Sequence, residues 1–323
     1  MMEQVGTDDE EALGAWRQGR VERRDLFEAV RAPMRQAAKQ GIGSITASAP
    51  APHDVDDAVT DAFLELEEAA IATMRIAVVG AGGTGSQVAI YLAYLGFRHV
   101  LILDDDLVEA SNLNRLITAD HADIDSPKTI VARRRMRAID PSIQVYAMPG
   151  LTVTGDHPEL HDLDLIVGCV DNDGPRHRLN QIAIETRTPY IDIATGVDDS
   201  QKLVALGGRV VFIQPGDPCL TCLDELDSAE IARWAKPADQ QALDRLHGYG
   251  TGMQNPSVVH LNGLTVNAAL AEILAWLSGA RRPARWLDID LLGNVARPGM
   301  QIGPREVPDR SIGCIDCGGV SAP

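Results

Sequence analysis

The chain has 323 residues, long for one domain and short for three, and 45% of them are hydrophobic, which fits a globular protein with one large core and a small appendage. Its 46 acidic against 29 basic residues give a formal charge of −17, which repels phosphate backbones and anionic bilayers at long range and argues against nucleic acid or a membrane as partner. No cationic leader precedes an apolar run at the N-terminus, and no uninterrupted apolar stretch is long enough to span a bilayer, so the expectation is a cytoplasmic protein.

Residues 1–72 are charged, poor in aromatics, and broken by Gly41-Ile42-Gly43-Ser44 and Ser48-Ala49-Pro50-Ala51-Pro52. From Val55 to Ile71, Val59, Phe63, Leu66 and Ala70 fall on one stripe of an amphipathic helix. The composition predicts a small helical N-terminal extension, followed by one domain over 73–323.

That domain opens with the apolar run Ile76-Ala77-Val78-Val79, which enters Gly80-Ala81-Gly82-Gly83-Thr84-Gly85. Gly80 permits a tight turn, Gly82 and its neighbour Gly83 let backbone N–H groups approach a phosphate, and Gly85 lets the next helix lie close to the sheet. Helical pattern from Ser86 to Leu95 stops at Gly96, as a helix C-terminus prefers. A second strand, Val100-Leu101-Ile102-Leu103, ends in Asp104-Asp105-Asp106, where the Asp104 carboxylate can accept hydrogen bonds from a ribose. Strand, glycine turn, helix and acid-ending strand bind a nucleotide, and to this point an NAD-dependent oxidoreductase or a binding module without turnover fits as well.

The continuation, Asp104-Asp105-Asp106-Leu107-Val108-Glu109-Ala110-Ser111-Asn112-Leu113-Asn114-Arg115, adds an amide and a guanidinium for which hydride transfer has no use. It resembles the motif D-x-D-x-V-x-x-S-N-L-x-R of the ThiF/MoeB/HesA family of adenylating enzymes, relatives of the ubiquitin-activating enzymes, and the resemblance covers roughly residues 73–319. Leu116 departs from the Gln that usually follows the arginine. The resemblance implies an α/β fold: a Rossmann-like, doubly wound, mainly parallel sheet with a mixed-sheet extension and a zinc-knuckle site. It also implies ATP and Mg2+, with Asn112, Arg115 and Lys128 on the phosphates and Asp106 and Asn172 beside them in the nucleotide site.

Ser126-Pro127-Lys128 opens a long helix through Ile139, with Pro127 near its first turn. By its position alone Lys128 is a solvated lysine, and only the resemblance gives it the phosphates. Arg133, Arg134, Arg135 and Arg137 wind around that helix and read as a solvated face. The next strand, Leu163 to Val170, runs into Asp171-Asn172-Asp173, at the end of the sheet where α/β folds bind ligands. Asp171 suits the N-cap of a helix from Arg176 to Thr186; the resemblance makes it the magnesium carboxylate. A third acid-bearing strand, Tyr190-Ile191-Asp192-Ile193-Ala194, leads to Thr195-Gly196, and Gln201 to Gln214 reads as two strands of the extension.

Four of the five cysteines form two C-x-x-C pairs, Cys219/Cys222 and Cys314/Cys317, enough for a closed structural zinc site or, as the competing chemistry, a redox pair. Between them lie a polar, irregular stretch from Asp224 to Asn255, suited to a loop crossing the active site, and a helix from Pro256 to Leu277 interrupted by His260, Asn262, Asn267 and Glu272. Residues 284–302 read as two strands joined by a turn. No cysteine occurs from Leu223 to Gly313, and Cys169 sits in an apolar run where burial should raise its pKa. An enzyme with no thiol of its own for a thioester is therefore expected. The resemblance implies adenylation of the C-terminal glycine of a small ubiquitin-like or sulfur-carrier protein, with a ribosomal peptide or small carboxylic acid as the alternative; a tRNA-modifying branch sits poorly with the acidic charge. It further implies a homodimer, across which an N-terminal arginine such as Arg31 or Arg35 would reach the partner's ATP.

Overall fold

The computed structural model describes residues 71–150, 157–198, 205–236, 240, 258–293 and 298–318. The expected N-terminal extension up to residue 70, with Arg31 and Arg35, and most of the expected crossing loop lie outside the described residues.

An eight-stranded sheet runs in the order β3-β2-β1-β4-β5-β6-β7-β8. Strands β1 (Arg75–Val79), β2 (His99–Asp104), β3 (Gln144–Pro149), β4 (Leu165–Gly168) and β5 (Tyr190–Asp198) are parallel. Strands β6 (Ala205–Ile213), β7 (Trp286–Asp290) and β8 (Gln301–Pro304) add antiparallel, giving the expected mixed extension. The chain leaves β1 toward β2 and β3 and returns on the other flank at β4, so the order reverses between β1 and β4. The crevice outside the carboxyl ends of those two strands is where such sheets bind ligands.

Alternation along the strands feeds two cores. Ile76, Val78, Val100, Ile102, Ile191 and Phe212 face helices α1 (Gly83–Tyr94), α2 (Lys128–Ile139) and, later in the chain, a 20-residue helix at Val259–Ser278. Ala77, Val79, Leu101, Ile166 and Val211 face α3 (Asp173–Thr186) through Leu179, Ile182 and Ala183. Burial on both faces explains why β1 is apolar from Ile76 to Val79, as parallel strands under two helical layers are. A short helix α4 (Ser228–Trp234) packs on α3, and the helix at Val259–Ser278 is α5.

Helix α5 is the one described helix long and apolar enough to cross a membrane, yet it is a core element. Leu261, Val266, Ala269, Ile273, Trp276 and Leu277 are buried against α1, β5 and β6. Glu272 is 3% exposed and is satisfied by two Arg281 nitrogens at 2.6 Å and by the Ala284 N–H at 2.7 Å.

Several elements differ from the sequence expectation. Strand β3 has no counterpart in it: its short apolar run, Val145 to Met148, sits on an edge strand of mixed exposure between Gln144 and Pro149. β5 continues through Thr195-Gly196 to Asp198, and the described part of Gln201 to Gln214 forms one strand, β6, rather than two. Helix α3 begins at Asp173 and is capped by Asn172, not Asp171. Arg134 and Arg135 are not merely solvated: they bind Asp123 (2.6 Å) and the Thr118 carbonyl (3.0 Å), fastening α2 to the preceding loop.

Close packing of α1 on the sheet rests on Gly85, where a Cβ would stand 1.8 Å from the Gly80 carbonyl oxygen. Backbone cannot swing aside as a side chain can, so Gly85→Ala is expected to lower stability by about 2 kcal/mol or more in urea unfolding. A wild-type midpoint would contradict the contact.

Candidate active site

At the carboxyl end of β1, Gly80 adopts φ +91°, donates its N–H to the Leu103 carbonyl (2.8 Å), and passes so close to β4 that a Cβ would stand 2.6 Å from the Cys169 oxygen. Only glycine fits both demands. The chain then enters α1 with Gly82 as N-cap, where no side chain accepts from the first turn and the space a Cβ would occupy is open. A helix N-terminus without a side-chain cap presents backbone N–H groups and partial positive charge to an anion.

Asp104 braces this turn. Its Oδ2 accepts from the Ala81 N–H at 2.6 Å and its Oδ1 from the Asp106 N–H at 2.8 Å. Burial raises its pKa above the usual carboxylate value, against the pull of Lys128 and those two N–H groups.

The loop after β2 is stapled to the start of α2: the Val108 N–H donates to the Ser126 carbonyl (2.9 Å), the Asp125 N–H to the Val108 carbonyl (2.9 Å), and the Lys128 N–H to the Asp106 carbonyl (3.1 Å). This brings Lys128 Nζ to Asp106 Oδ2 at 2.6 Å, and the lysine is only 8% exposed rather than solvated. Asn112 is buried and held by its own turn, Oδ1 accepting from the Glu109 N–H (3.3 Å) and Nδ2 donating to Ser111 Oγ (3.2 Å). Arg115 donates from Nη1 to the Ser111 carbonyl (2.9 Å) and to Asn114 Oδ1 (3.1 Å). Leu116, the departure from the motif, is buried with Val108 and Val131 and anchors this loop.

Beyond β4, the Asp171 carboxylate is exposed and has no hydrogen-bond partner among the described residues. The amide of Asn172 is engaged at both ends, Oδ1 accepting from the Gly174 N–H (2.8 Å) and Nδ2 donating to Glu230 on α4 (3.0 Å). A buried ion cluster of Arg176, Asp192 and Arg209 lies next to this strand end. Sequence reasoning missed its importance, although Asp192 stood out as an acid in an otherwise apolar strand.

The four paired cysteines converge. Sγ separations are 3.8 Å for Cys219 and Cys222, 3.7 Å for Cys219 and Cys314, and 3.4 Å for Cys222 and Cys317, and all four lie close enough to ligate one ion. None of them is in a disulfide, and Arg310 Nε donates to Cys317 Sγ at 3.2 Å. Helix α3 holds both knuckles: Asn180 Oδ1 accepts from the Leu220 N–H (3.0 Å), and Asp316 receives Gln181 (3.0 Å), the Thr221 hydroxyl and the ring of His177 (3.0 Å).

A family model described as the ThiF family matches residues 57–305. The sulfur carrier protein ThiS adenylyltransferase of Escherichia coli (strain K12) is 28% identical over 251 residues, which cover 77% of this chain and 87% of that protein. The sulfur carrier protein adenylyltransferase of Thermus thermophilus is 34% identical over 149 residues, covering 46% of this chain and 54% of that protein. For the molybdopterin-synthase adenylyltransferase of Escherichia coli the figures are 31% over 163 residues, 49% and 61%. The chain thus spans most of the first relative and less than two thirds of the other two. Among solved structures, Escherichia coli MccB with ATP superposes with a TM-score of 0.57 at 19% identity, over 78% of this chain and 68% of that chain, which shows a shared fold.

Burial pushes the Cys169 thiol up to about 12, despite a hydrogen bond from the side chain of Thr84. At pH 8 the thiol therefore stays protonated, and only the thiolate alkylates. Peptide mapping after iodoacetamide treatment of the folded protein should find Cys169 unmodified, and modified once urea is added; labelling in the folded state would refute its burial.

Proposed function

The chain belongs to the ThiF family and is an adenylyltransferase of that kind, and from this premise we propose that it activates the C-terminal glycine of a small ubiquitin-like or sulfur-carrier protein as an acyl-adenylate, releasing pyrophosphate. The observation that carries the reading is the start of α1, open at Gly82 and without a side-chain cap, beside a buried lysine and a braced aspartate at the sheet's switch point. The relatives named above act on sulfur carriers or on molybdopterin synthase by their names, and two of them exceed 30% identity over the shared region.

In this reading the carboxylate of the acyl substrate attacks the α-phosphate of ATP. It needs no general base, because a carboxylate is already ionised at neutral pH. The protein's work is orientation and charge neutralisation. The first turn of α1 receives phosphate oxygens, and Asp104 takes the ribose. Lys128 has three N–H donors and uses one on Asp106, which leaves two for phosphate oxygens. Arg115 engages its own loop through Nη1, leaving Nη2 and Nε for the charge that grows during transfer. Asp171, an exposed carboxylate at a strand end, suits Mg2+, which supplies further neutralisation of the triphosphate.

The cysteine cluster fits Zn2+. Tetrahedral bonds of about 2.3 Å set sulfurs about 3.8 Å apart, against the 3.4 to 3.8 Å found. Four thiolates close the coordination shell, so the ion would be structural. With those thiols on metal and Cys169 buried, the acyl group leaves the enzyme on an external nucleophile instead of a thioester on its own chain. Assembly as a homodimer belongs to the same proposal.

Exchange of labelled pyrophosphate into ATP tests the reading directly, with magnesium and three arms: a carrier ending in Gly-Gly, a short peptide with a free C-terminal carboxylate, and no acceptor. Exchange dependent on the carrier is expected; exchange with the peptide alone would replace the substrate class, and none in any arm would reject adenylation by these substrates. Arg115→Ala and Lys128→Ala should each slow exchange about 100-fold or more, and near-normal rates in both would remove their assignment. Elemental analysis should find one zinc per chain, and chelation should lower the melting temperature. Protein purified under reducing conditions with no zinc and four free thiols would dispose of the metal site.

A further inference from the structure

Asp192 has no part in the chemistry above, yet it is a fully buried carboxylate on β5. Its Oδ1 accepts from Arg176 Nε at 2.9 Å and from the Tyr190 hydroxyl at 2.9 Å, while its Oδ2 accepts from Arg209 Nη2 at 3.1 Å. Arg176, 6% exposed at the start of α3, spends its other nitrogens on Asp173 and, from Nη2 at 2.8 Å, on the Val170 carbonyl. That carbonyl belongs to the peptide joining Val170 to Asp171, so the guanidinium fixes the plane from which the Asp171 side chain departs. Tyr190 supports the same stretch from β5: its ring lies against the last residue of β4, where a Cβ on Gly168 would stand 2.6 Å from the Tyr190 hydroxyl oxygen.

The cluster extends outward. Arg209 Nη1 reaches Glu225 Oε2 at 3.2 Å, Glu225 Oε1 meets Arg305 at 3.5 Å, and Arg305 lies over the Trp286 ring at 4.4 Å. Asp173, Asp192 and Glu225 thus face Arg176 and Arg209, while Arg305 is shared between Glu225 and Asp288, so each buried guanidinium has a carboxylate. Burying ion pairs is a poor route to net stability, since apolar residues of equal volume often do as well; what a planar, multiply bonded guanidinium adds is a single orientation.

We propose that Asp192 is a positioning residue for Asp171, acting through Arg176, with Arg209 as the second clamp that keeps Asp192 in place. This deepens the functional reading and rests on Asp171 as the magnesium carboxylate. Groups that orient a metal-binding side chain from behind typically change metal affinity about 10- to 100-fold when altered. Loss of the Asp192 charge leaves the Arg176 fork free to turn away from the Val170 carbonyl, and Asp171 loses its fixed direction.

The test is calorimetric titration of ATP at a series of MgCl2 concentrations and in EDTA, with folding checked by circular dichroism. Arg176→Lys and Asp192→Asn are each examined alone and combined with Asp171→Asn. Either variant alone should raise the magnesium concentration for half-maximal enhancement of ATP binding about 10-fold, with metal-free ATP binding unchanged. In the Asp171→Asn background the same substitution should add less than about twofold, because residues acting through one another are not additive. An equal factor in both backgrounds, or no change in either, overturns the proposal, since a merely structural role would not depend on Asp171. If a buried variant fails to fold, Arg209→Gln replaces it with the same expected direction and the same overturning result. A wild type that binds no ATP would overturn the adenylation reading together with this one; a wild type that binds ATP, with unchanged variants, overturns the positioning role alone.

Discussion

Two backbone segments touch at Gly80 and Cys169 with no room for a side chain between them, and the geometry of the site is referred to that contact. The Cys169 N–H donates to the Val79 carbonyl at 2.7 Å, and the Gly80 N–H donates to the Leu103 carbonyl at 2.8 Å, so the ends of β1, β2 and β4 are locked side by side. Asp104 then closes the arrangement from β2 by accepting from Ala81. Because each of these bonds uses backbone on at least one side, the positions of the glycine turn and of Asp104 are set by the sheet itself. The polar groups inherit their precision from a rigid element instead of from loops.

Helix α3 joins two parts of the molecule that the sequence separates widely. Its cap follows Asp171 directly, and one to two turns later His177, Asn180 and Gln181 hold the two cysteine knuckles through Leu220 and Asp316. At 1.5 Å of rise per residue, the cap and the knuckle contacts lie only about 10 Å apart along one helix axis. Asp316 keeps its charge readily: despite burial, the Thr221 hydroxyl, Gln181 and His177 hold its pKa below the ordinary carboxylate value. The cysteine knuckles and the segment that follows β4 are thus both held by the same helix.

What was legible in the sequence was local. The apolar runs of β1 and β2, the glycine turn, Gly96 at φ +85° after α1, and Pro127 at the start of α2 all follow from rules spanning a few residues, and each holds in the structure. The cysteine pairs were legible because each repeats the same C-x-x-C spacing, although 91 residues lie between Cys222 and Cys314. The failures have a common cause in context. Edge strand β3 is recognised only by the neighbour it pairs with, Lys128 is buried because the loop leading into α2 folds back on it and presents Asp106, and α3 chose Asn172 over Asp171 as its cap. Asp192 was visible as a letter, but its meaning required Arg176 from a helix and Arg209 from an antiparallel strand, neither of which any local pattern couples to it.

Helix α5 carries a consequence for how the chain is made. Its apolar length would tempt any exposed surface, including a bilayer, until it is covered. The elements that cover it, α1, β5 and β6, all precede it in the chain and have left the ribosome before Val259 emerges. A docking surface is thus waiting when α5 is synthesised, whereas Arg281, the partner of Glu272, follows three residues after the helix ends. The most membrane-like segment among the described residues is thus translated after the helix and strands it packs on, and its one buried acid finds its arginine three residues past the end of the helix.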